Sequence, residues 1–334
     1  MSAPVPYQQI TFAKWLREVQ NSLLQEGLRK TLSEIDTRLV DEELHHLVPD
    51  KYLKRLSTFL LRGEILFPVP CIIQHSPNLA GYYRLVLGLS RKECEKYPTL
   101  KKFLVFEPVP GQEHQESPHD NTGVTEEDVK EFCNTLIKSA CMLLDELGDL
   151  TADFLRDLSL LTLGAQFRGS YNNLIGREAA GKVFQLITVE VGRRARRVIS
   201  HENGWLVIEN AAGREVTFRL GADPDILVTE KLSDGRRGIL AIEVKGGTDR
   251  SNIHNRLGEA EKTHLKCKEN NQAQQFWTVV GVRDLDLNDA RRESPTTSRF
   301  FRMEEILTGG PTQQSFLENL AALVGVRFKP NDSL

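Results

Sequence analysis

Asp223-Pro224-Asp225-Ile226-Leu227-Val228-Thr229-Glu230 and Gly238-Ile239-Leu240-Ala241-Ile242-Glu243-Val244-Lys245, joined through a Ser233-Asp234-Gly235 turn, decide how this chain folds. Both runs are short, apolar and bounded by turn residues, so both read as strands, Asp225–Glu230 and Gly238–Lys245. Side chains alternate faces along a strand. Glu243 and Lys245 therefore share one face, and Leu240, Ile242 and Val244 the other. Charged groups on a largely apolar strand need partners, because burying even an uncharged polar group unpaired costs roughly 2–7 kcal/mol. Asp225 opens the neighbouring strand. If the two strands pair, Asp225 and Glu243 converge on one hard cation, and oxygen ligands beside a phosphate favour Mg²⁺. Pro224 is compatible there, since the first residue of a strand need not donate to the ladder.

This is the arrangement that phosphodiester hydrolysis requires. A metal draws charge from the phosphate oxygens and lowers the pKa of a bound water. A lysine beside it orients the water and stabilises charge in the transition state. The bland alternative is a surface salt bridge between Glu243 and Lys245.

The surroundings of these strands extend the pattern. Trp205–Glu209 and Glu215–Leu220 read as a hairpin closed by Asn210-Ala211-Ala212-Gly213. A helix at about 176–195 precedes them, with Ala179, Ala180, Val183, Phe184 and Ile187 inward. A helix at about 252–269 and a strand Phe276–Val282 follow. The order is helix, strands, helix, strand, an α/β class with a mixed sheet. The first 170 residues instead carry helical spacing: Phe12, Trp15, Leu16, Val19 and Leu23, continued by Leu28, Leu32, Ile35 and Leu39. Thr125 caps a helix with Asp128 three residues on, and Val129, Phe132, Cys133, Leu136, Ile137 and Ala140 form its buried stripe. A further helix is expected at about 151–163. Residues 107–123, with three prolines, read as an exposed loop. The expected organisation is a mainly helical region 1–170, for support and for dimer or DNA contacts, and a nuclease-like core with an extension at 171–334.

Residues 223–247 resemble the PD-(D/E)xK nuclease signature, and the element order matches that fold. The continuation from Gly246 through Asn255-Arg256 to Lys262 resembles type II restriction endonucleases of the XcyI family, as do Leu61–Pro70, Gly81–Leu89 and Arg291–Phe301. The resemblance implies a Mg²⁺-dependent homodimer that cuts double-stranded DNA at a palindrome, CCCGGG for the namesake, leaving 5′-phosphate ends. It implies metal ligation by Asp225, Glu243 and the Val244 carbonyl, with Lys245 as the catalytic lysine. The first core helix sometimes supplies an extra acid, here Glu178 or Glu190. One departure stands out. Many relatives of this fold that read a central CCGG carry R-(D/E)-R just after the catalytic strand, whereas this chain has Asn255-Arg256 and, further on, Arg291-Arg292-Glu293.

Arginine matches guanine O6 and N7 in the major groove. Arg291, Arg292 and Arg299 are therefore expected DNA-binding residues, with Ser294, Thr296, Thr297 and Ser298 as small donors between them, and Asn255 and Arg256, on the helix after the catalytic strand, are expected to join them. Arg193–Arg197 is either a solvated helix end or a phosphate contact. On the 252–269 helix, Ile253, Leu257, Ala260, His264 and Cys267 form the buried face, so His264 reads as packed rather than as a ligand. Lys262 and Lys266 lie opposite, solvated or on phosphate. Gly176–Lys182 nearly spells a P-loop, but Val183 replaces the metal-binding hydroxyl, and no nucleotide cofactor is expected. His114 and His119, among Glu113, Glu116 and Asp120, read as a solvated loop rather than a metal cluster.

Composition narrows the class. The chain has 334 residues, 40% hydrophobic and 27% charged, which excludes disordered and fibrous proteins. A net charge of −3 does not advertise nucleic acid, although it averages over faces. Five cysteines without a CxxC pair read as reduced thiols in a cytoplasmic protein. The sequence MSAPVPYQQITFAKWL has no secretory pattern, and no stretch is apolar enough to span a membrane, so no membrane partner is expected. Two other readings of the same residues are a repair or junction-resolving nuclease of this fold and a DNA-binding protein on a retired nuclease core.

Overall fold

Where the apolar spacing is helical, the chain forms helices, and where it alternates, strands. The computed structural model describes residues 5–109, 123–247, 253–270, 272–282 and 285–327. Most of the proline-rich loop, with His114 and His119, lies outside the described residues, as do Thr248–Asn252. The chain divides into two compact units, Met1–Tyr171 and Asn172–Leu334.

The described part of the first unit is helical. Its helices include Tyr7–Leu23, Gln25–Glu34, Thr37–Leu47 and Glu126–Glu146. The last is capped as its sequence dictates: Thr125 and Asp128 each bond the other's backbone N–H. All six residues of its expected stripe are buried, against Leu56, Phe67, Ile72, Tyr82 and Tyr83 among others. Leu39 is exposed, and Val40 takes its place in the core. The helical spacing broke at Asp36, which caps a new helix by accepting the Arg38 N–H. At the centre, Arg84 and Glu107 form a bidentate pair at 2.8 and 2.8 Å. Arg91 donates to the same carboxylate at 3.0 Å, and Gln166 accepts from Arg84 at 2.9 Å.

The second unit is built on one seven-stranded sheet in sequential order: β1 (Arg197–Glu202), β2 (Trp205–Glu209), β3 (Glu215–Leu220), β4 (Ile226–Leu232), β5 (Gly235–Lys245), β6 (Gln275–Val280) and β7 (Arg299–Arg302). Strands β1 to β5 pair antiparallel, and β5, β6 and β7 pair parallel. The β2–β3 turn is set by Asn210, whose side-chain oxygen accepts from Ala212 and Arg214 N–H, and by Gly213 at φ +76°. One face packs Ile226, Val228, Leu240, Ile242, Val244, Trp277 and Val279 against Val183, Phe184 and Ile187 and against Phe316 and Leu320. The helix Ile253–Glu269 buries Ile253, Leu257, Ala260, His264 and Cys267, the face its spacing predicts.

Three expectations are corrected. The helices expected at 151–163 and 176–195 are parts of one helix, Ala152–Arg194. Glycines 164, 169 and 176 cost helix propensity but do not break the ladder. Arg197 begins β1 rather than ending a helix, and Arg299 opens a further strand, β7, that the expected element order lacks. β1 is an edge strand with no buried residue, and β7 is four residues long with one, so neither carries a period-two signal. All five cysteines are free, and four are buried.

Arg84→Met leaves a buried carboxylate short of its main partner. Breaking such a pair costs about 3–5 kcal/mol. Urea unfolding of the full chain should show a loss of that size, and a loss below about 1 kcal/mol would contradict the pairing.

Candidate active site

Strand register brings the acidic residues together. Ile226 faces Ile242 and Leu227 faces Ala241 across β4 and β5. One step further, Asp225 comes opposite Glu243. There the Asp225 side chain replaces the ladder: its Oδ2 accepts the Val244 N–H at 2.7 Å. Lys245 Nζ lies 2.9 Å from Glu243 Oε2. Glu243 is only 3% exposed, and its Oε1 is buried without a hydrogen-bond partner among the described residues. Burial raises the Asp225 pKa above the usual carboxylate range. Burial raises Glu243 to about 7, with the Asp225 charge pushing the same way and Lys245 opposing.

These donors fit a hard cation. Two carboxylates converge, and one buried oxygen is unused. In a strand, the N–H and C=O of a residue point to the same edge, so the Val244 carbonyl faces the side on which Asp225 sits. Mg²⁺ is typically held by one or two carboxylates, with waters and phosphate completing the shell. No third His, Cys, Asp or Glu joins them among the described residues. Glu178 is exposed on its helix, and Glu190 pairs with Arg193 and Arg194. Just past Lys245 the chain packs close to the long helix at Gly246, where a Cβ would lie 2.2 Å from the Ala179 Cβ.

The family model described as XcyI restriction endonuclease matches residues 13–327. The chain is 37% identical over 332 residues to the type II restriction enzyme Cfr9I of Citrobacter freundii, covering 98% of this chain and 97% of that one. It is 36% identical over 333 residues to the type II restriction enzyme XcyI of Xanthomonas campestris pv. cyanopsidis, covering 98% and 96%. The chain belongs to the XcyI restriction endonuclease family. It is accordingly a type II restriction endonuclease of the PD-(D/E)xK superfamily, and the mixed sheet with flanking helices agrees with that fold. No solved structure matches it. No described helix is long and apolar enough to cross a membrane.

The residues expected on DNA scatter. Arg256 reaches the chain just past β5: a Cβ on Gly247 would meet its Nη1 at 1.7 Å. Asn255 is exposed on the same helix. Arg291 and Arg292 are exposed on Leu287–Glu293, where Arg292 pairs with Asp289. Arg299 is in register with Trp277, a main-core residue, and so projects to the face opposite Lys245. In the Arg193–Arg197 cluster, Arg196 and Arg197 pair with Glu209 at 2.8 and 3.4 Å. Lys262 is exposed, and Lys266 pairs with Asp223.

The small hydroxyl residues are spent inside the protein. Ser294 Oγ and Thr296 N–H donate to Glu261 Oε2, each at 3.0 Å. Thr297 Oγ1 lies 2.9 Å from Thr278 Oγ1 and 3.1 Å from His264 Nδ1. Ser298 Oγ donates to the Phe276 carbonyl at 2.9 Å. Thr278 is the register partner of Glu243, so this polar band backs the acidic site. His264 is fully buried in it, as its helical position predicts, and burial lowers its pKa to about 4. Sequence alone could not separate a donor to DNA from a donor to Glu261, because both demand the same residue types.

Raising a carboxylate pKa in the folded state makes stability fall as pH rises. For Glu243 the loss develops between its ordinary pKa of 4.5 and about 7. In EDTA above pH ~7, Glu243→Gln should therefore melt higher than the unmutated enzyme. Below pH ~4.5 the difference should vanish. Equal melting temperatures at high pH would contradict a Glu243 carboxyl whose pKa burial raises in the folded state.

Proposed function

We propose that this restriction endonuclease uses Mg²⁺ to hydrolyse one phosphodiester per strand at a palindromic duplex site, CCCGGG by family resemblance, acting as a homodimer. The observation that carries the reading is the buried, unpaired Glu243 oxygen, set beside Asp225 and within reach of Lys245. Asp225, Glu243 and the Val244 carbonyl are the residues that would hold the ion. When bound, the ion supplies charge for the phosphate oxygens and lowers the pKa of a water.

The chain's own groups do the rest. The Val244 N–H fixes the Asp225 carboxylate against rotation. The ion pair with Glu243 holds the Lys245 ammonium on the site's face. From there it donates to the attacking water and to a non-bridging phosphate oxygen. Water adds to phosphorus and releases a proton to solvent, the P–O3′ bond breaks, and the leaving O3′ takes up a proton, so the products are a 5′-phosphate and a 3′-hydroxyl. Two-fold symmetry in the enzyme matches two-fold symmetry in the site. We assign the helical unit Met1–Tyr171 to support of the core and to dimer or DNA contacts.

Phage DNA digested with the full-length enzyme in Mg²⁺ should give discrete fragments whose ends share one palindrome, and none in EDTA. Asp225→Ala and Lys245→Ala should each cut at least ~100-fold more slowly, as loss of transition-state charge stabilisation demands. A smear, or cutting confined to branched DNA, would favour a structure-specific nuclease. Metal-independent duplex binding without cutting would favour a retired core.

A further inference from the structure

The three parallel strands end side by side next to the acidic site. Lys245 of β5 is in register with Val280 of β6, and Val280 with Arg302 of β7. Register partners on neighbouring strands project to one face, and strands lie about 4.8 Å apart. Arg302 therefore shares the face of Lys245, with its backbone about 10 Å away. Packing fixes the faces independently. Val280 and Phe300 pack with Ile253 and Leu257, while Val279 and Phe301 pack into the main core. Arg299, three residues earlier, belongs to the opposite face.

The Arg302 guanidinium is held in place. Nη1 donates to Glu305 Oε1 at 3.0 Å, and Nη2 to the Leu285 carbonyl at 3.3 Å. Glu305 is itself fixed, since its other oxygen accepts from Thr312 Oγ1 at 3.0 Å. The side chain remains 37% exposed. It borders a cleft of about 120 Å³ lined by Val280, Gly281, Val282, Arg302, Glu304 and Glu305. That cleft begins at Gly281, whose N–H donates to the Lys245 carbonyl at 2.9 Å. A guanidinium ordered before binding loses less entropy when it takes up a phosphate, and its planar fork matches phosphate oxygens.

We propose that Arg302 is a DNA-backbone contact of this enzyme, holding a phosphate beside the one that is cut. The proposal rests on the nuclease reading above. Arg302 acts on binding and register rather than on the reacting atoms, so it is a positioning residue. One phosphate contact contributes about 0.9 to the slope of log affinity against log salt.

The test measures binding of a short duplex centred on CCCGGG, in EDTA, by fluorescence anisotropy across a salt series. The variants are Arg302→Gln, Arg302→Lys and Arg299→Ala. Arg302→Gln removes the charge and keeps a polar side chain. It should bind several-fold more weakly and flatten the slope by about 0.9. Arg302→Lys should restore the slope, and Arg299→Ala should leave it unchanged. A wild-type slope in Arg302→Gln, with or without a lowered melting temperature, would overturn the proposal and leave a purely structural arginine. So would a loss confined to CCCGGG and absent from a scrambled duplex, which would mark a base contact. Unmutated enzyme is assayed alongside for binding and for cutting in Mg²⁺. If it binds and cuts while Arg302→Gln shows the wild-type slope, only the Arg302 role fails. If it neither binds nor cuts, the nuclease reading fails with it.

Discussion

The hydrogen bond from the Val244 N–H to the Asp225 carboxylate is the hinge of the second unit. It forms where the β4–β5 ladder runs out and a side chain takes over from the backbone. Shifting the register by one residue would exchange the faces of all of β5. Ile242 and Val244 would leave the main core, and Glu243 and Lys245 would enter it. The apolar face of β5 thus enforces the position of its charged face. The core and the site are specified by one constraint rather than by two.

That constraint carries a cost visible in the packing. The helix Ile253–Glu269 covers the Glu243 face with two small apolar clusters instead of one continuous layer. Ile253 and Leu257 pack with Val280 and Val282 at one end, and Cys267 packs with Ala241 and Phe276 at the other. Between them runs the band of Thr278, Thr297, His264, Ser294 and Glu261. An apolar layer there would deepen the desolvation of Glu243, and burying a charge is costly even when it is paired, as Glu243 is with Lys245. The band supplies polar surroundings while leaving one Glu243 oxygen unused. Burial and the neighbouring Asp225 charge raise the Glu243 pKa, so the band does not offset the whole cost of burying this carboxylate.

Much of this was legible in the sequence, and the failures share a physical cause. β2 and β3 fall at their expected bounds because each has a buried face and a turn with a defined residue, Asn210 and Gly213. The stripe of the Ile253–Glu269 helix was fully readable from its spacing, including His264. β1 and β7 were unreadable because burial writes the pattern, and they have almost none. Asp225, Glu243 and Lys245 stood out because charge interrupts an apolar run. Arg302 did not, because an arginine after two phenylalanines looks like any strand end until the register sets it in a row with Lys245. Arg299, which the sequence singles out, lies on the other face. Only the alternation of faces separates the two.

Glycine at the ends of the parallel strands follows from the same geometry. A Cβ on Gly281 would lie 2.5 Å from the Gly246 carbonyl oxygen, and one on Gly247 would displace Arg256. The chain needs bare backbone here because β5 and β6 must stay hydrogen-bonded past the last ladder pair, through Gly281 N–H to Lys245 carbonyl. That contact fixes the carbonyl of the residue that carries the ammonium, and so limits how far Lys245 can swing. The opposite edge is held by Asp225 through Val244. Two adjacent residues of one strand are thus tied to different neighbours, one on each side. A lysine on a flexible stem is thereby set on a backbone that cannot rotate, which is what placing an ammonium beside a buried carboxylate pair demands.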